Sequence, residues 1–264
     1  MISIVDQIGH HIELNHTPRR IVSLVPSQTE YLYDLGLRTE VVGITKFCIH
    51  PEHWKKDKAI IGGTKNIHHN KIAQLKPDLI IANKEENTKE DILKLKEDYP
   101  VYTSNIFTIE ESFKMMDDLG ELLNKQHEAS ALIEKIQYSF QSIKKYRNKT
   151  VAYLIWQKPF MLAGRQTFIQ SMLTLSGFRN ILTSNEARYP EVTLEDLRRL
   201  NPSFIFLSSE PFPFKQKHLA EIEKQTRIKT VLVNGEMFSW YGSRMMLVSN
   251  YMQDLINREV ERQE

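Results

Sequence analysis

One cysteine, Cys48, in a chain of 264 residues excludes an intramolecular disulfide and any multi-cysteine zinc or iron–sulfur site within a single copy. A lone cysteine of this kind reads as a small buried apolar residue. No stretch approaches the roughly 18 consecutive apolar residues of a membrane helix. The formal net charge is only +2, so the broad basic footprint of a nucleic-acid binder is missing and no nucleic-acid partner is expected. Met1 is followed at once by Ile2-Ser3-Ile4-Val5-Asp6, without a basic segment or an apolar core. No signal peptide is therefore expected in this chain, which reads as cytoplasmic unless a targeting segment lies outside it. Between Glu121 and Lys158 there is neither glycine nor proline, which leaves that stretch free to form an unbroken helix.

What is present is the composition of a globular protein, with 41% hydrophobic and 26% charged residues, and a length that suits one large or two small domains. The most informative feature is an internal echo. Leu75-Lys76-Pro77-Asp78-Leu79-Ile80-Ile81 reads as a helix end, a proline turn and a buried strand, and Leu200-Asn201-Pro202-Ser203-Phe204-Ile205-Phe206 reads the same way. Each is followed by a short strand, from Val101 and from Thr230, and then by a helical run, Glu110 to Leu123 and Ser243 to Asn257. The first half opens with a hairpin-like stretch turning near Gly9, followed by the buried strand Ile21 to Val25. Ser27 and Glu30 have capping-box spacing for a helix ending at Gly36. In the second half the strand Val151 to Trp156 and a helix N-capped by Thr193 stand out. Strands alternating with helices at this spacing predict an α/β fold with mainly parallel sheets. Ala129, Leu132, Ile136, Phe140 and Ile143 recur at steps of three and four, predicting a helix over 126–147 of about 33 Å. The expected organisation is an N-terminal α/β lobe over 1–125, a connecting helix over 126–147 and a C-terminal α/β lobe over 148–264, both lobes Rossmann-like, with a ligand cleft between them.

The run Pro18-Arg19-Arg20-Ile21-Val22-Ser23-Leu24-Val25-Pro26-Ser27-Gln28-Thr29-Glu30 resembles the opening of the periplasmic substrate-binding proteins of ABC-type metal-chelate importers. The likeness continues through Ile72 to Ala82, Ala163-Gly164-Arg165, Tyr189-Pro190-Glu191-Val192-Thr193 and Trp240-Tyr241, and within the family it is strongest to the vitamin B12-binding members. The resemblance implies two lobes joined by one long helix that limits hinge motion. It also implies a non-catalytic binding protein acting as a monomer, with no intrinsic cofactor. Its ligand would be a cobalamin, haem or ferric siderophore, and its partner an ABC permease at a membrane.

Such ligands have broad apolar faces and an oxygen-rich rim, which aromatic rings and guanidinium groups suit. The candidate ligand contacts are Tyr189, Trp240, Tyr241, Trp156 and Phe47, with Trp54 nearby, and the arginines Arg165 and Arg244. In the B12-binding relatives an aromatic contacts ligand at the position of Tyr189. The alternative for each ring is to cap a sheet edge or fill a core. Family members dock on their permease through one surface glutamate per lobe, which by position would be Asn70 and Glu195, the first having lost its charge. His50, His53, His68 and His69 leave a bare metal site open, although adjacent histidines tend to diverge, and no metal ligand is assigned. Alternative readings are a receptor for a free transition-metal ion, a cytoplasmic chelate sensor without a transporter, and an enzyme on a related scaffold, for which no nucleophile–base motif is found.

Overall fold

Residues 2–146, 149–182 and 187–259 are described by the computed structural model. The chain divides into two compact units. The first holds the residues up to Ile106, then Glu110–Ile136 and Tyr241–Arg244; the second holds Phe107–Ile109, Gln137–Trp240 and the residues from Met245 on.

In the first unit the strands are short, β-branched and buried on both faces, as all-parallel sheets demand. Their order is Ala59–Ile60, Val41–Ile44, Ile21–Ser23, Leu79–Asn83, Val101–Ser104, and every neighbouring pair is parallel. The opening hairpin pairs Ile2–Val5 with His11–Leu14. Its turn uses Gly9 at φ +84°, and the Asp6 carboxylate accepts from the backbone N–H of Ile8 (3.1 Å) and His10 (2.8 Å).

The second unit carries a six-stranded sheet. Thr150–Trp156, Phe204–Ser208 and Thr230–Val233 run parallel. Phe160–Leu162 turns back antiparallel to Thr150–Trp156, and Glu191–Val192 is antiparallel to it in turn. Arg179–Asn180 pairs with the start of the first of these strands. Aromatic rings fill much of this core: Phe206 lies 5.4 Å from Phe178 and 6.2 Å from Phe238, edge to face.

The echo in the sequence is repeated in detail. Helices His69–Leu75 and Leu194–Leu200 end at Lys76 (φ 47°, ψ 59°) and Asn201 (φ 47°, ψ 58°), both left-handed. A proline follows each, which cannot continue the helix, and then the strand begins. The next side chain ties that strand to its parallel neighbour. The Asp78 carboxylate accepts from the backbone N–H of Arg19 and Arg20, each at 2.8 Å, and the Ser203 hydroxyl accepts from Thr150 N–H at 3.1 Å. The resulting registers are Ile21 opposite Leu79 and Val151 opposite Phe204.

Three expectations change. The helix Pro26–Asp34 begins with proline at its first position and has no side-chain cap. Proline at that site has no N–H to satisfy, and Glu30, the expected partner of Ser27, is drawn to Arg244 instead. The long helix spans Gln126–Gln141, about 24 Å, and stops short of Arg147, which lies outside the described residues. After it, Ser142 and Ile143 donate to Ser139 and Phe140 in tightened turns. Ile143 is buried all the same, so the apolar periodicity outran the helix. The terminal helix is Val248–Glu259, preceded by a 3₁₀ turn over Ser243–Leu247.

Candidate functional site

In the first unit, Phe47 follows the strand Val41–Ile44 and is 49% exposed. The Lys46 ammonium sits 5.0 Å from its ring centroid, and Gly63 permits its close approach, since a Cβ there would lie 3.2 Å from the ring. Trp54, by contrast, is buried and packed edge-on against Tyr33 at 5.4 Å, so it serves the core. At the carboxyl ends of the neighbouring strands Leu79–Asn83 and Val101–Ser104 lies a buried polar group. Ser104 accepts from the amides of Gln28 and Asn83, and the Gln28 amide also reaches the Tyr241 hydroxyl at 3.4 Å. Burial, with the nearby charge of Glu86, holds the Tyr241 phenol well above its ordinary pKa. Tyr241 is only 5% exposed and is therefore part of the first unit's interior.

Arg244 is likewise committed. Its guanidinium donates from Nε to Glu30 Oε2 at 2.7 Å and from a terminal nitrogen to Oε1 at 2.6 Å, a bidentate pair. Its side chain is 7% exposed and that of Glu30 is 15%. Burial raises the Glu30 carboxyl above the ordinary value, and Arg244 opposes that shift.

In the second unit, Trp156 ends the central strand at a bulge and is 40% exposed, its ring edge-on to Phe212 at 5.8 Å. Trp240 is buried, its indole N–H donating to Glu210 at 2.8 Å. Tyr189 is half-buried on a segment that the Gly164 loop holds in place. Gly164 N–H donates to Arg188 O at 2.7 Å, Leu162 N–H donates to Pro190 O at 3.0 Å, and the Thr167 hydroxyl donates to Gly164 O at 2.8 Å. A Cβ on Gly164 would meet the carbonyl oxygens of Ala187 and Arg188 at 2.7 Å, so only glycine fits. Arg165 is exposed on this loop. Two neighbours of this segment were not singled out from the sequence. The Arg188 guanidinium lies 4.5 Å over the Phe107 ring and 5.4 Å from the Tyr189 ring, and its Nε donates to Gln166 O at 2.7 Å. The adjacency of Arg188 to Tyr189 was a visible signal; Phe107, far off in the chain, gave none.

Glu195 and Asn70 are both the second residue of their helices and both exposed. Glu195 pairs with Arg198 at 2.6 Å. Thr193 caps its helix reciprocally with Asp196. Among the histidines, His69 Nε2 lies 2.7 Å from Asp91 and His53 packs edge-on to Tyr33. Among the described residues no group of three or more His, Cys, Asp or Glu side chains could hold a metal ion. Cys48 is buried, bonded to the hydroxyls of Thr29 (3.1 Å) and Thr45 (3.2 Å). Burial pushes its thiol pKa up, so it is held as a thiol rather than as a nucleophilic thiolate. The exposed chemistry is one of flat rings and guanidinium groups, suited to binding.

A family model described as a periplasmic binding protein matches residues 21–238. An ABC transporter substrate-binding lipoprotein of Bacillus subtilis, YvrC, is 27% identical over 216 residues, covering 77% of this chain and 68% of its own. The vitamin B12-binding protein of Vibrio campbellii is 26% identical over 199 residues, covering 74% and 72%. Among solved structures, the periplasmic catecholate-siderophore binding protein VctP of Vibrio cholerae superposes with a TM-score of 0.78 at 16% identity, over 96% of this chain and 99% of that one; that likeness is one of fold.

Proposed function

The chain belongs to the periplasmic binding protein family, and on that premise we propose that it is a non-catalytic solute-binding protein for an organic metal chelate. The chelate is cobalamin-like, a haem or a ferric siderophore, and the protein delivers it to an ABC importer. The observation that carries this reading is the set of incompletely buried rings, Phe47 in the first unit and Trp156 and Tyr189 in the second, held at a strand end and on the segments that flank the strands. Each offers a broad apolar face at low conformational cost to a large planar ligand. An exported working location follows from the same reading. Docking on the permease would use the helix starts at Glu195 and Asn70, with Glu195 supplying the anion.

The test is a thermal-shift screen against cyanocobalamin, haemin, several ferric siderophores, and zinc and manganese salts. A ligand at one hundred times its dissociation constant adds about 2.7 kcal/mol of stability. A shift with any chelate is the expected result. A shift with the bare metal salts alone would replace the reading with a metal-ion receptor.

A further inference from the structure

We propose that the amino-terminal edge of the second unit's sheet is a docking face for a linear phosphodiester polymer without bases, a polyol-phosphate chain. The face lies at the opposite end of the helix Leu194–Leu200 from Glu195, and the inference does not depend on the chelate-binding reading. The internal repeat supplies the control. The registers make Ile21 and Val151 equivalent, opposite Leu79 and Phe204. From there, acidic residues of the first unit line up with residues of the second. Glu40 precedes Val41, the partner of Ile21, as Arg179 precedes Asn180, the partner of Val151. Asp78 stands before Leu79 as Ser203 stands before Phe204. Val101 and Thr230 pair with the equivalent Ile80 and Ile205; Asp98 and Arg227 each lie three residues ahead of them. At this edge the repeat therefore exchanges Glu40, Asp78 and Asp98 for Arg179, Ser203 and Arg227.

The helices of α/β units return antiparallel to the strands, so their carboxyl ends gather at this edge. Cations there complement the helix dipoles by about 0.3–1 kcal/mol each. That does not account for the exchange, because the helices His69–Leu75 and Lys89–Asp98 end at the same edge of the first sheet, among acids. The second unit adds further cations instead. Lys149 is exposed just before Thr150, the partner of Arg179. Lys145 sits beside the turn at Gly177, where an added Cβ would lie 3.0 Å from its own Cβ. Arg199 is 78% exposed in the last turn of Leu194–Leu200. Asp196, paired with Arg199 at 2.8 Å, and half-buried Glu223 temper this charge without reversing it. The strand starts at Arg179, Thr150, Phe204 and Thr230 lie side by side, which at about 4.8 Å per strand makes a row roughly 14 Å long.

A row of cations on a chain whose net charge is only +2 matches a linear anion with regularly spaced phosphates. A bilayer would call for apolar groups to enter it, and the large apolar side chain exposed here is Leu200, at 36%. Tyr146, next to Lys145, is stacked on Phe178 at 6.0 Å, so the row offers charge rather than a platform for bases.

The test titrates the full chain with a labelled glycerol-phosphate polymer, following fluorescence anisotropy, beside phosphatidylglycerol vesicles and a single-stranded oligonucleotide of equal charge. The polymer is expected to bind, losing about 50-fold in affinity between 50 and 200 mM salt, as contact with about four phosphates requires. The double variant Arg179→Glu with Arg227→Asp is expected to weaken binding at least roughly 10-fold at 50 mM salt. The pair Lys55→Glu with Lys94→Glu, an equal change of charge on the first unit, is expected to leave it within about twofold. Circular dichroism melting checks the fold, and the milder Arg179→Gln with Arg227→Asn reads the same loss if the reversal melts early. No binding of the polymer, or equal losses in the two charge-reversed pairs, would overturn the assignment. Tighter binding of the vesicles or of the oligonucleotide would overturn the choice of partner.

Discussion

Replacing Arg244 with alanine should cost more than any surface substitution in this protein, and the cost should depend on pH in a defined direction. The guanidinium and the Glu30 carboxylate are both largely out of solvent, at 7% and 15% exposure, and share bonds of 2.7 and 2.6 Å. Breaking a buried pair by removing one partner leaves an uncompensated charge and typically costs about 3–5 kcal/mol. We take about 3 kcal/mol, the low end, because Glu30 keeps some access to water. For a chain of this size that corresponds to a fall in Tm of roughly 6–12 °C. The pH dependence follows from the direction of the Glu30 shift. Burial raises its folded pKa above the ordinary 4.5, with the Arg244 hydrogen bond and charge, and the charge of His50, pulling it down and Asp34 pushing it up. A raised carboxyl stabilises the fold where it is protonated, below the unfolded value, and that contribution is lost as pH rises through the folded value. Without Arg244 the folded value rises further, as does that of Asp34, which Arg244 also lowers. The difference between variant and wild type should therefore be smallest near pH 4 and widen as pH rises toward 8. Urea unfolding of both proteins at several pH values measures this. The double variant Glu30→Met with Arg244→Met should recover most of the loss, since well-packed apolar replacements of buried pairs are often neutral. A loss that is the same at every pH, or a double variant as unstable as the single one, would refute the reasoning.

Gly164→Ala should lower stability by about 1–3 kcal/mol through overpacking, because the new methyl meets two carbonyl oxygens at 2.7 Å; an unchanged melting temperature would show that the Arg188 segment yields. Tyr189→Ala should weaken chelate binding by roughly 1–3 kcal/mol by calorimetry, and equal affinity would remove Tyr189 from the site. Lys76→Asn, which places in the first unit the residue type that the second uses at the same left-handed position, should raise stability by about 0.5 kcal/mol, measured by chemical denaturation; a loss would mean that the lysine stem contributes packing of its own.

Local signals carried most of the fold. The proline after a helix end, the β-branched strand runs and the Thr193 cap each act within a few residues, so they were readable from the chain alone, and the repeat they trace recurs down to matching left-handed residues at Lys76 and Asn201. The misreadings involved partners distant in sequence. Ser27 and Glu30 had the spacing of a cap, but Glu30 pairs with a residue 214 positions away, and a buried guanidinium outweighs a local bond. The periodicity through Ile143 was genuine burial without helix. At the site, residue type pointed to Tyr189, Trp156 and Phe47, whose rings retain exposed surface. It could not show that Arg244 is already paired with Glu30, because that pairing depends on the tertiary fold. The same limit applied to Trp240 and Tyr241, whose polar atoms are satisfied by Glu210 and Gln28.

The four residues Tyr241–Arg244, which belong to the first unit although the chain on either side belongs to the second, bear on whether the halves of this molecule can be parted. A fragment ending at Ile136 would contain every strand of the first sheet. It would still lack the phenol that meets Gln28, the Gly242 N–H bonded to Ser112 at 3.1 Å and the cation opposite Glu30. Each of those losses leaves a polar group of the first unit without the partner it has in the whole chain. The internal repeat looks like two modules joined end to end, yet the first is finished only when the last tenth or so of the chain has been made. Synthesis of such a protein ends with the closure of its beginning, and any attempt to express the N-terminal half alone should supply residues 241–244 as a separate peptide.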